Sequence, residues 1–146
     1  MAQRTLIVTR PGAAGRALTD ELTRLGQPSL WLPAFEFGGP PDEAQARALL
    51  ARLAEFDLAI FVSPQAVRAA APLLAGPWPQ GTAIAAVGAG TCAALPGLTG
   101  AAGARVIAPA GDEGGSGSEA LWPLLQAMRP PPRRVLLLGA GSGREW

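Results

Sequence analysis

The sequence predicts an α/β architecture built on parallel strands, and three observations carry that prediction. Leu58, Ala59, Ile60, Phe61 and Val62 form an apolar run with no polar face, too short for a free-standing helix and typical of a strand covered on both sides. Ser63 and Pro64 follow it, a good N-cap and the residue best suited to a first helical position, so Ala66, Val67 and Ala70 open a helix. The same alternation recurs along the chain, six strand-like runs with five helical segments between them, which is the pattern of a right-handed βαβ array.

Taken in order, residues 5–9 read as the first strand, ended by the turn Arg10, Pro11, Gly12. Leu18, Leu22 and Leu25 recur at helical spacing, with Gly26 as the C-terminal stop. A second apolar stretch holds Leu30, Trp31 and Leu32, then Phe35 and Phe37; residues 38–41, Gly-Gly-Pro-Pro, break it. Asp42 with Gln45 forms an N-terminal capping signature for a helix whose buried face is Leu49, Leu50 and Leu53. That helix delivers the chain to the strand at 58–62 and the helix after Ser63. A loop at 76–79 precedes a strand at 83–87, the turn 88–91 and a helix from Cys92 to Leu95. A strand at 106–108 ends at Pro109. Residues 111–118 read as a Gly/Ser loop, from which Ser118 caps a helix carrying Leu121, Leu124, Leu125 and Met128. Residues 129–132 end that helix, 135–138 form the last strand, and 139–144 the last turn. A Gly-rich turn after a strand should feed a helix, and none follows, so the periodicity reads as that of a truncated chain.

Length and composition narrow the function. At 146 residues the chain is long enough for one α/β domain with a core. With 12 basic and 11 acidic residues its net charge is +1, too weak a field to indicate nucleic acid as a partner. All of the basic residues are Arg. There is no His and no Tyr, which excludes His-based triads, His-ligated metals and phenolic proton donors from these residues. Cys92 is alone, so no disulfide framework or cysteine metal cluster is available, and it reads as a small apolar residue at a helix start. The N-terminal residues carry neither a signal-peptide core nor a membrane-spanning stretch, which predicts a cytoplasmic, non-membrane protein.

Three turns fall at carboxyl ends of strands: Ser63 with Pro64, residues 88–91, and residues 139–144. In parallel α/β sheets ligands bind along that edge, and helix starts there favour anions. Gly88, Gly90 and Ala93 also match the G-x-G-x-x-A dinucleotide fingerprint, yet Ala108 and Pro109 occupy the place of the acid that the fingerprint needs. A dinucleotide-binding oxidoreductase domain is therefore the lesser reading beside glycines that merely permit tight turns.

Five segments together carry a resemblance: residues 6–11 (Leu-Ile-Val-Thr-Arg-Pro), 56–67 (from Phe56 through Ser63, Pro64 and Gln65 to Val67), 86–91 (Ala-Val-Gly-Ala-Gly-Thr), 118–121 (Ser-Glu-Ala-Leu) and 143–146 (Gly-Arg-Glu-Trp). In order and spacing they resemble the N-terminal portion of the uroporphyrinogen-III synthase family. The resemblance implies two flavodoxin-like lobes of parallel sheet. Residues 1–36 would begin a discontinuous lobe, 37–41 would be linker, and 42–146 would form the second lobe without its last helix and strand.

The resemblance further implies a lyase that cyclises hydroxymethylbilane to uroporphyrinogen III, with loss of water and inversion of the last ring, in tetrapyrrole (haem) biosynthesis. It implies no metal or organic cofactor. Its implied substrate-binding residues are Arg10, Ser63, Gly88, Gly90, Thr91 and Arg144, with Ser63 and Thr91 hydrogen-bonding carboxylates or serving only as helix caps; no catalytic residue is assigned. The polycarboxylate substrate suits a rim of turn N–H groups and a few Arg. One departure stands out: the family commonly has Arg-Gly where this chain has Gly139 and Ala140. The 146-residue chain alone is expected to be inactive, and to self-associate through the unpaired edge of its incomplete lobe. A non-catalytic fragment or α/β binding module is the alternative.

Overall fold

A computed structural model describes residues 4–110 and 117–139. The chain divides into two compact units, Met1–Gly39 and Pro40–Trp146. Among the described residues no helix is long and apolar enough to cross a membrane.

The first unit holds β1 (Leu6–Val8), α1 (Gly12–Arg24) and β2 (Ser29–Trp31). The strands pair in parallel, Leu6 opposite Ser29 and Val8 opposite Trp31. Helix α1 stops at Gly26, whose φ of +78° suits glycine; its N–H donates to the Thr23 carbonyl, while Gln27 N–H donates to Leu22. The leucine face expected of α1 is only partly buried. Leu25 is 71% exposed and the one buried residue of the helix is Gly15, because two strands are too narrow to cover thirteen helical residues. Ile7 and Leu30, side by side in register, are exposed as well.

In the second unit α2 (Glu43–Ala51) starts as its capping signature predicts, with Asp42 Oδ1 accepting the Gln45 N–H at 2.8 Å. Leu50 and Leu53 are buried, Leu53 in the 3-10 turn Leu53–Glu55, whereas Leu49 points outward. There follow β3 (Leu58–Phe61), α3 (Pro64–Ala70), β4 (Ala83–Ala86), α4 (Ala89–Ala94), β5 (Val106–Ile107), α5 (Ser118–Gln126) and β6 (Val135–Leu138). The four strands form one sheet in the order β5-β4-β3-β6, and every pairing is parallel. This is the predicted α/β class.

Strand alternation divides the core between two faces. Ala59, Phe61, Ile84 and Ala86 pack with Leu50, Leu53, Val67, Leu95 and Leu98, and the Trp78 ring lies tilted against Phe61 at 5.9 Å. Full burial of Phe61 is worth about 2–3 kcal/mol. On the opposite face Leu58, Ala83 and Ala85 pack with Leu121 and Met128, residues of α5 and its C-terminal end. No other described helix contributes to that cluster, so Leu137 of β6 is 67% exposed and Ile60 beside it only half-buried. The strand read as covered on both sides is therefore fully covered on one.

One capping residue is corrected. Ser118 is the first residue of α5; its N-cap is Gly117, at φ +110°, which makes no side-chain cap and donates its N–H to the Val87 carbonyl at 2.9 Å. The chain leaves that bond in a backbone conformation open to glycine and not to serine. Residues 111–116 of the Gly/Ser loop, and residues 140–144 of the last turn, lie outside the described residues.

Candidate functional site

The parallel register sets three turns side by side at one sheet edge. Phe61 is opposite both Ala86 and Leu138, Val62 N–H donates to the Leu138 carbonyl at 3.1 Å, and Val87 N–H donates to Phe61 at 3.3 Å. Ser63 and Gly88 therefore leave adjacent strands at the same level, and Gly139 leaves one residue earlier, level with Val62. From β3 the chain winds outward through β4 to β5, then returns to the other side of β3 as β6. Such an order reversal opens a crevice at the strands' carboxyl ends.

Ser63 is half-buried, and its Oγ accepts the Ala66 N–H at 3.1 Å as an N-cap. Pro64 stands first in α3, as expected. The Gly88 carbonyl accepts the N–H groups of Thr91 and Cys92, both at 3.0 Å, which closes the first turn of α4. A Cβ on Gly90 would lie 3.6 Å from the Pro64 ring, so the two turns are in contact. The N–H groups of Gln65, Ala89 and Gly90, in first helical turns, have no partner among the described residues. Thr91 is only 2% exposed and faces the core, not the edge. Half-buried Cys92 packs against the core cluster.

At the third turn a Cβ on Gly139 would come within 2.7 Å of Val62 Cγ2. The Val62 isopropyl group fills the space that a larger residue's first carbon would need, which gives Gly139 a steric reason. Arg144 lies outside the described residues.

Arg10 belongs to the first unit, just past the carboxyl end of β1. Its carbonyl accepts the Trp31 indole N–H at 2.9 Å, and the preceding Thr9 carbonyl accepts the Ala34 N–H at 3.0 Å. Strand pattern marks neither bond, because each partner lies more than twenty residues along the chain.

The displaced pKa values lie at the other, amino edge of the larger sheet. Glu55 is lowered to about 2, chiefly by its hydrogen bond from Arg52, with desolvation opposing and a weaker hydrogen bond from Arg134 assisting; Arg52 is raised by its hydrogen bond to Glu55. Asp57 is lowered by backbone N–H bonds from Arg134 and Arg133. A cavity of about 520 Å3 also opens at that edge, lined by Asp57, Gln80, Arg105, Met128, Pro131 and Arg133. These carboxylates are exposed structural caps and ion pairs, and parallel sheets of this kind bind ligands at the opposite edge, so the carboxyl edge remains the candidate site. Among the described residues no group of three or more His, Cys, Asp or Glu is placed to hold a metal ion.

The dinucleotide reading gains no support: beyond β5 the described residues present Ala108 and Pro109. Comparison with known proteins points elsewhere. A family model described as uroporphyrinogen-III synthase HemD matches residues 16–146. The uroporphyrinogen-III synthases of Escherichia coli (strain K12) and Salmonella typhimurium (strain LT2) are each 32% identical over 144 residues. The alignments take in 97% of this chain and 56% of each relative, so the chain spans just over half their length. By the extent of that match, the chain belongs to the uroporphyrinogen-III synthase family.

Proposed function

We propose that this chain takes part in the uroporphyrinogen-III synthase reaction, in which hydroxymethylbilane closes to uroporphyrinogen III with loss of water and inversion of its last ring. The observation that carries the reading is the family match over residues 16–146. The alignment of the Ser63, Gly88 and Gly139 turns at one edge supports it. Ser63, Gly88 and Gly90 would meet substrate carboxylates through a hydroxyl and turn N–H groups, and Arg10 through its guanidinium. Burial limits Thr91 to supporting the Gly88 turn, and Arg144 is assigned by resemblance alone. Catalysis of this kind rests on holding the ends of a flexible chain together and on stabilising charge, for which no His is required.

The test is to give the 146-residue protein fresh hydroxymethylbilane and assay the porphyrin isomers formed, beside titration with uroporphyrin III. Type III product above the protein-free control shows catalysis. Type I product alone with saturable uroporphyrin III binding shows a chain that holds the substrate without inverting its ring, the outcome we expect of these residues alone. Type I product with no binding overturns the reading and leaves a non-catalytic α/β module.

We also propose self-association with a second copy through the unpaired edge of the two-stranded first unit, where Ile7 and Leu30 lie exposed side by side. Sedimentation as a monomer at micromolar concentration would refute it.

A further inference from the structure

We infer that Trp31 is the positioning residue for Arg10, holding the turn that presents the guanidinium; this rests on the reading of Arg10 as a ligand for substrate carboxylates. The Trp31 indole N–H donates to the Arg10 carbonyl at 2.9 Å, and Ala34 N–H holds the Thr9 carbonyl at 3.0 Å. Two successive carbonyls of the turn are thus tied to the second strand and its extension. Pro11 follows directly and restricts the backbone after the held carbonyl.

Helix α1 closes over the same bond. A Cβ at Gly15 would fall on the Arg10 carbonyl oxygen and lie 2.5 Å from Trp31 Nε1, so the helix approaches as near as it does because residue 15 is glycine. The Arg16 guanidinium stacks on the indole ring, 4.0 Å from its centroid. The ring is held in place while its N–H does the positioning. The Arg10 guanidinium, by contrast, has no ion pair or hydrogen bond among the described residues. An unpaired charged group on an anchored backbone can meet an anion with no ion pair to break and no backbone to order, which leaves only the side chain to be fixed.

Nothing else in the Trp31 environment requires the indole nitrogen. A phenylalanine would keep a ring for Arg16 and lose only the bond to Arg10. The experiment is a titration of the 146-residue protein with uroporphyrin III, an octacarboxylate, using wild type, Arg10→Ala, Trp31→Phe and the double variant, each checked for folding by circular dichroism. Loss of preorganisation at one side chain predicts about a three- to tenfold weakening for Trp31→Phe. The effect should vanish in the Arg10→Ala background, and Trp31→His, which restores a ring N–H, should recover part of the affinity.

Equal weakening by Trp31→Phe in both backgrounds would show a role in general stability and overturn the inference. Weakening by Arg10→Ala with none from Trp31→Phe would overturn it while leaving the Arg10 reading in place. No effect of Arg10→Ala, or no uroporphyrin III binding by the wild type, would remove that reading and this inference with it. Should Trp31→Phe fail to fold, Trp31→Leu, which also lacks the N–H, takes its place in the cycle, and an equal loss of affinity with and without Arg10 counts against positioning.

Discussion

Asp57 Oδ2 accepts the backbone N–H of Arg134 at 2.9 Å, a contact between residues 77 positions apart, and it also takes the Arg133 N–H at 2.7 Å. The Arg134 carbonyl in return accepts the Asp57 N–H at 2.9 Å. This exchange sits one step before the first pair of the ladder, Leu58 opposite Val135, and so sets the register that brings Gly139 level with Val62, one residue before Ser63. Asp57→Ala is expected to lower the melting temperature and Asp57→Asn to lower it less, since a carboxamide oxygen still accepts both N–H groups. Thermal melts of the two variants check this; equal melting temperatures for Asp57→Ala and wild type would mean that the ladder holds β6 unaided.

The same edge governs the response to acid. Glu55 is held at about 2, below its ordinary 4.5, chiefly by the hydrogen bond from Arg52, and Asp57 is lowered by the N–H groups of Arg134 and Arg133. Carboxyl groups depressed in the folded state stabilise it above their unfolded pKa, and that contribution is lost as pH falls from about 4.5 toward 2. Urea midpoints measured across this range should fall with pH, and Glu55→Gln should flatten the dependence. An unchanged slope in the variant would place the acid sensitivity elsewhere.

Ser63 has two proposed duties that substitution can separate. Ser63→Ala removes the bond to Ala66 N–H and should cost about 1 kcal/mol of stability. Ser63→Asp keeps a cap but sets a negative charge at the edge proposed to meet substrate carboxylates. Near-wild-type stability with lost uroporphyrin III binding is the expected outcome; retained binding would restrict Ser63 to capping.

Thr82 is fully buried, with its hydroxyl 3.0 Å from the Leu53 carbonyl and 2.9 Å from that of Phe56. Its own carbonyl accepts the Trp78 indole N–H at 2.8 Å, which places Trp78 against Phe61. Thr82→Val keeps the shape, takes this donor from the Phe56 carbonyl and leaves the Leu53 carbonyl with the Phe56 N–H alone, at a cost of about 1–3 kcal/mol by denaturant titration. A neutral result would mean that those carbonyls find another donor.

Signals that act over three or four residues were the legible ones. The Asp42 bond to Gln45, the Ser63 bond to Ala66 and the stop at Gly26 depend on neighbours in the chain, and their side-chain chemistry names them in advance. The cap of α5 falls on Gly117 and not on Ser118 because Gly117 meets Val87, thirty residues away. The inward face of Thr91 was hidden for a similar reason: which side of a six-residue helix is buried depends on what packs against it.

By itself, then, the sequence determined the alternation of six strands and five helices, the parallel class and the local caps, because periodicity and capping act within a turn or two. Only the tertiary structure decided the order β5-β4-β3-β6, the alignment of the Ser63, Gly88 and Gly139 turns at one edge, and the hold of Trp31 on Arg10. Those arise from hydrogen bonds and contacts between distant residues, and spacing along the chain does not specify which distant strand will lie beside which.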